Sequence, residues 1–135
     1  MERLIDSTLW VDYFRTQTPA ALRAQAGMWI DHEDAVTCWP VLFEVIRGIR
    51  PDERRRVRSQ LETVSVLTFE VAHWLSAALL GQRCRDRGFT IGPLDLLIAT
   101  VALAHDAEVI SFDEDYSFIA QVEPRLRVQV LTRAL

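Results

Sequence analysis

The 135-residue sequence contains no lysine, and all fifteen of its basic side chains are arginine. That absence excludes chemistry built on an ε-amino group: a Walker A phosphate loop, a Schiff base, or the acidic pocket with a lysine found in response-regulator receivers. Cysteine is scarce as well. Cys38 and Cys84, the only two, are too far apart in sequence for a zinc pattern or a disulfide framework, and they read as buried thiols. No apolar run, "LLIATVALA" included, approaches the roughly 20 residues needed to cross a bilayer. The opening "MERLID" lacks a basic stretch followed by an apolar one, so the expectation is a cytoplasmic protein with no membrane partner. Nineteen acidic residues against fifteen basic ones leave a net charge of -4, which argues against nonspecific coating of nucleic acid but permits a locally basic groove.

What is present alternates. Short apolar or β-branched runs at 3–6, 34–38, 65–69, 108–112 and 127–132 predict strands. Between them, helical patterns run over "STLWVDYF", 19–31, "PVLFEVIRGI", "DERRRVRSQLETV", a long segment closed by Gly88, and "GPLDLLIATVALAHD". No repeat, linker or low-complexity tract interrupts residues 1–135, which read as one domain. Alternation of this kind implies an α/β fold: a central, mainly parallel sheet of about five strands with helices on both faces. In such a fold the C-terminal ends of strands and the N-terminal ends of the following helices share one edge, where ligands bind.

Four acids fall on that edge. Asp6 ends the first strand, Glu44 lies about one turn into the helix after the second, Asp95 is in the first turn of the helix near Pro93, and Asp113 ends the strand at 108–112. Each has an ordinary explanation. Asp6 can cap a helix, Asp95 can complement a helix dipole, Glu44 can pair with Arg47, and Asp113 and Asp115 can form a turn. Together they are harder to dismiss, because "LID", "VLFEVI" and "PLDLLIA" surround three of them with apolar neighbours. Two carboxylates about 4 Å apart at an effective dielectric near 20 repel by roughly 4 kcal/mol. There is no lysine to screen them, His32 and His105 belong to the opposite edge, and no arginine adjoins Asp6, Asp95 or Asp113 in sequence. A divalent cation with hard oxygen ligands, Mg²⁺ or Mn²⁺, is the natural counterion. Such a centre suits hydrolysis of phosphate esters, and Ser7 and Ser111 are placed to donate hydrogen bonds to the ligating carboxylates.

The successive stretches "LIDSTLWVDYF", "WPVLFEVIRG", "PLDLLIATVALAHDAEVISFDEDYSFI" and "VQVL" resemble the motifs of PIN-domain ribonucleases, in particular the small VapC-type toxins of toxin-antitoxin pairs. The likeness spans essentially the whole chain. It implies a PIN-like three-layer sandwich and an Mg²⁺- or Mn²⁺-dependent endoribonuclease that inhibits translation. It further implies restraint by a cognate antitoxin and assembly as a homodimer. By position, Asp6, Glu44 and Asp95 match the family's three most consistent acids, and the fourth is Asp113 or, alternatively, Asp115.

Arginines supply the remaining signal. Arg47, Arg50, Arg54 and Arg55 follow closely on Glu44, as a contact surface for RNA phosphates or for an acidic antitoxin segment. Trp10, Tyr13, Phe14 and Trp29 lie on the early helices, either as core or with an exposed subset forming a partner groove, and Glu70 and His73 are outside candidates for the acidic edge. Two other readings compete. A PIN-like domain that has lost catalysis would serve as a metal- or protein-binding module. A haloacid-dehalogenase phosphatase needs a second Asp two residues after the first, where this chain has Thr8.

Overall fold

The computed structural model describes residues 1–135. Five strands form one parallel sheet in the order β3-β2-β1-β4-β5: β1 (Arg3–Ile5), β2 (Ala35–Thr37), β3 (Ser65–Val66), β4 (Glu108–Ser111) and β5 (Arg127–Val130). Between β1 and β2 come α1 (Ser7–Phe14) and α2 (Ala20–Ile30). Between β2 and β3 come α3 (Trp39–Gly48), a 3-10 turn at Pro51–Glu53 and α4 (Arg54–Leu61). The crossover to β4 carries α5 (Ala72–Asp86) and α6 (Pro93–His105), and α7 (Asp115–Val122) joins β4 to β5. Right-handed crossovers put the helices of the outward leg, β1 to β3, on one face of the sheet and those of the return leg on the other.

The central strands are the most buried. Leu4, Ile5, Val109 and Ile110 are fully inaccessible, each contributing roughly 1.5–3 kcal/mol by burial. Their register, Leu4 beside Val109 and Ile5 beside Ile110, continues as Asp6 N–H donates to Ile110 C=O at 2.9 Å. Asp6 thereby sits next to Ser111. The chain leaves β1 in one direction and β4 in the other, so a crevice opens at their C-terminal ends.

Local chemistry explains the boundaries. Asp6 caps α1 by accepting from Thr8 N–H at 3.3 Å, and proline stands in the first turn of α3 and of α6. At the end of α5, Gly88 takes φ 86, the left-handed conformation that lets Phe89 N–H reach Cys84 C=O at 2.9 Å. Both cysteines are free and buried, and burial pushes the Cys38 thiol up to about 12, leaving it unreactive.

Besides a last strand that ends at Val130 and a fourth helix that is preceded by a 3-10 turn and ends at Leu61, two elements depart further from the sequence reading. The third strand is Ser65–Val66 rather than 65–69: Leu67 N–H still bonds Thr37 C=O, but Thr68 C=O is taken by the His105 ring at 2.9 Å and the ladder ends. The helix α7 replaces what reads as a turn. Parallel β4 and β5 need a crossover, and Tyr116, Ile119 and Val122 supply its buried stripe.

Candidate functional site

The crevice at the ends of β1 and β4 gathers the acids. Carboxylate oxygens of Asp6, Glu44 and Asp95 lie within 4.8 Å of one another, and a second set of Asp95, Asp113 and Asp115 meets the same limit. Asp95 belongs to both. It reaches the crevice from the first turn of α6, Glu44 from α3, and Asp113 and Asp115 from the β4–α7 junction.

Asp6 is held most tightly, at 1 % exposure. Its Oδ2 accepts from Thr8 N–H at 3.3 Å, Thr8 Oγ1 at 2.8 Å and Ser111 Oγ at 2.8 Å. Those hydroxyls in turn accept backbone N–H groups: Phe112 onto Thr8 at 3.2 Å and Asp113 onto Ser111 at 2.8 Å. The end of β4 is thus wired through two hydroxyls to a carboxylate on β1. Ser7 donates elsewhere, to Glu44 Oε1 at 3.0 Å. Asp113 Oδ1 accepts from Asp115 N–H at 2.9 Å, starting α7, so Asp113 and Asp115 share one local structure and both face Asp95. Beneath the cluster the buried Tyr116 hydroxyl contacts Asp6 Oδ1 at 2.9 Å and Asp95 Oδ1 at 3.1 Å.

Electrostatics follow from burial and crowding. Asp95 is pushed up to about 7, chiefly by desolvation and then by the charges of Asp6 and Asp113. Glu44 is also raised, by desolvation first, with the Ser7 hydrogen bond opposing it and Asp6 adding to it. Asp115 is raised by desolvation and by its neighbours Asp113 and Glu114. Burial holds Tyr116 well above its ordinary value, so it remains a proton donor. All seven ion pairs of the structure lie elsewhere, and none engages Asp6, Glu44, Asp95, Asp113 or Asp115. An all-oxygen donor set with no ion-paired basic side chain, Arg47 acting on Glu44 only at longer range, fits a hard divalent cation.

Glu70 and His73 do not join this cluster. His73 accepts Glu70 N–H at 3.0 Å and lines a cleft of about 770 Å³ together with Asp106 and Glu123. Asp106 follows α6 and precedes β4, so the cleft opens at the opposite edge of the sheet. Its arginines are already paired, Arg83 and Arg125 with Glu123 and Arg127 with Asp106. The acids, not this cleft, are therefore the candidate for chemistry. Among the aromatics, Trp10 and Phe14 are core, and the exposed rings are instead Trp39, Phe43 and Trp74, at 60 %, 56 % and 60 %. Thr8 and the Tyr116 hydroxyl are the functional groups that sequence reasoning passes over. A hydroxyl two residues after Asp6, and an aromatic carrying one next to Asp115, are the signals available.

The PIN domain family model matches residues 3–122. The chain belongs to the PIN domain family. Ribonuclease VapC11 of Mycobacterium tuberculosis is 28% identical over 123 residues, covering 88% of this chain and 92% of that protein. Ribonuclease VapC19 of the same species is 29% identical over 111 residues, covering 81% and 86%. In three dimensions this PIN domain is similar to a toxin-antitoxin complex from Klebsiella pneumoniae, with TM-score 0.75, 18% identity and 98% and 100% coverage. It is also similar to VapBC2 of Rickettsia felis bound to a promoter DNA fragment, with TM-score 0.73, 18% identity and 98% and 100% coverage. No helix of this PIN domain is long and apolar enough to cross a membrane.

Proposed function

We propose that the chain is the toxin of a toxin-antitoxin pair, a divalent-metal-dependent endoribonuclease that cuts RNA phosphodiester bonds in the cytoplasm and so inhibits translation. The observation that carries this reading is the convergence of Asp6, Glu44, Asp95 and Asp113 on one crevice with no basic side chain paired to any of them. Its relatives named VapC ribonucleases support it.

Mg²⁺ or Mn²⁺, when bound, would neutralise the scissile phosphate and lower the pKa of a water. Asp6, Asp95 and Asp113, with Asp115 as the alternate for Asp113, would hold the ion. Asp6 Oδ2 is engaged by three donors, whereas Oδ1 meets only the Tyr116 hydroxyl and is the oxygen available to the ion. Glu44, raised by desolvation and oriented by Ser7, is suited to accept the proton of an attacking water. Incubation of the purified protein with total RNA, in Mg²⁺ or in chelator, tests the reading. Cleavage confined to the metal-containing arm supports it; metal binding without cleavage of any RNA would instead indicate a binding module.

RNA binding falls to Arg47, Arg50, Arg54 and Arg55. All are exposed and none enters an ion pair, whereas Arg56 is committed to Phe14 C=O at 2.7 Å. Replacing the four by glutamine is expected to flatten the salt dependence of single-stranded RNA binding by about 0.7 in log–log slope for each phosphate no longer neutralised. An unchanged slope, read by filter binding across a salt series, would remove these residues from the interface.

The remaining partners are protein. Relatives solved as toxin-antitoxin complexes support an antitoxin. A homodimer is supported by an apolar face of α3 and α5, where Trp39, Phe43, Phe69 and Trp74 surround a groove of about 290 Å³. Leu75, next to Trp74 in α5, is also 66 % exposed. Trp74→Glu is expected to weaken self-association by about 30-fold or more, the scale of an interface hot spot, with the melting temperature little changed. Sedimentation equilibrium measures it; parent and variant with the same mass at all concentrations would exclude this face.

A further inference from the structure

We propose that Tyr116 is a positioning residue for the metal: its hydroxyl sets the spacing and orientation of Asp6 and Asp95 without ligating the ion itself. The inference rests on the metal-dependent reading above.

The hydroxyl oxygen lies 2.9 Å from Asp6 Oδ1 and 3.1 Å from Asp95 Oδ1, and the ring is fully buried, so it cannot swing out to solvent. A hydroxyl carries one proton and donates to one carboxylate at a time, so Asp6 Oδ1 and Asp95 Oδ1 share a single donor at a fixed point beneath the crevice. The two acids depend on it unequally. Asp6 Oδ2 is anchored by three other donors, which leaves the tyrosine to fix how Oδ1 is turned. Asp95 has no other side-chain hydrogen bond in the structure. In the first turn of α6, Tyr116 is thus the one hydrogen-bond donor that orients the Asp95 carboxylate among the acids around it. Removing the hydroxyl releases Asp95 from ligating geometry while leaving every carboxylate in place. Groups that orient ligands typically alter metal affinity by about 10–100-fold when removed.

Isothermal titration of Mn²⁺ into the parent and into Tyr116→Phe tests this. The expected result is a Kd raised about 10–100-fold in the variant. A hydroxyl serving only stability would lower the melting temperature and leave the Kd where it was, and that result overturns the proposal. A parent that binds no Mn²⁺ would instead sink the metal-dependent reading itself. Should Tyr116→Phe fail to fold, Tyr13→Phe provides the second measurement, because it leaves Tyr116 as the only tyrosine of the two. Its ¹³Cζ resonance is expected to shift during an Mg²⁺ titration and to saturate with the ion; a resonance that stays fixed overturns the proposal.

Discussion

Asparagine in place of Asp95 is expected to lower RNA cleavage by about 100-fold or more, since loss even of a group that only orients a metal ligand costs about 10–100-fold. The change is nearly isosteric and removes one negative charge from the centre of the cluster. Asp95 is the only member common to both carboxylate sets, so no neighbouring acid can stand in for it. The same substitution relieves repulsion with Asp6 and Asp113 in metal-free protein and leaves an oxygen to accept from Tyr116. Asp95→Asn should therefore melt at or above the parent temperature in chelator and gain little from added metal. Single-turnover cleavage together with circular-dichroism melting separates loss of function from loss of fold. Equal cleavage by parent and variant would show that the activity comes from elsewhere.

Metal binding should carry a steep pH dependence. Asp95 titrates near 7 instead of its ordinary 3.8, because it is desolvated and lies beside Asp6 and Asp113. An ion must displace its proton, so below about 7 the apparent Mn²⁺ affinity is expected to fall about tenfold per pH unit and above it to level off. The metal-free protein should behave in the opposite sense. A folded-state pKa raised above the unfolded one means that the native state binds more protons between the two values. That contribution to stability is fully present below 3.8 and is lost as pH rises through about 7. Adding metal should reverse the trend on the alkaline side. Calorimetric titrations and melts across this range test both halves, and an affinity independent of pH below 7 would place the ion away from Asp95.

The legibility of the molecule in its sequence follows its physics. Buried strands such as β1 and β4 are readable because their apolar runs end at punctuating polar residues. The four acids are readable because parallel topology brings strand ends and helix starts to one edge whatever their distance along the chain. The edge strand β3 reads too long, since "SVLTF" has strand propensity throughout but its fourth residue bonds a histidine side chain instead of a strand. Helix α7 escapes the sequence reading because "DEDYSF" opens with turn-forming acids, and only the spacing of Tyr116, Ile119 and Val122 marks a helix. His73 departs from its expected edge for a related reason: α5 runs antiparallel to α6, so its start lies by the end of α6, beside Asp106, rather than by Asp95. Ser111 reads from the sequence as a donor to a ligating carboxylate, but the contact of the Tyr116 hydroxyl with Asp6, 110 residues away along the chain, leaves no local pattern.

The central claim is that these carboxylates share a divalent ion. Anomalous diffraction from crystals grown in Mn²⁺ addresses it without recourse to activity. The account predicts a peak about 2.1 Å from an Asp95 oxygen and in contact with Asp6 or Asp113 as well. A peak elsewhere, or none at a Mn²⁺ concentration that saturates binding in solution, would contradict it.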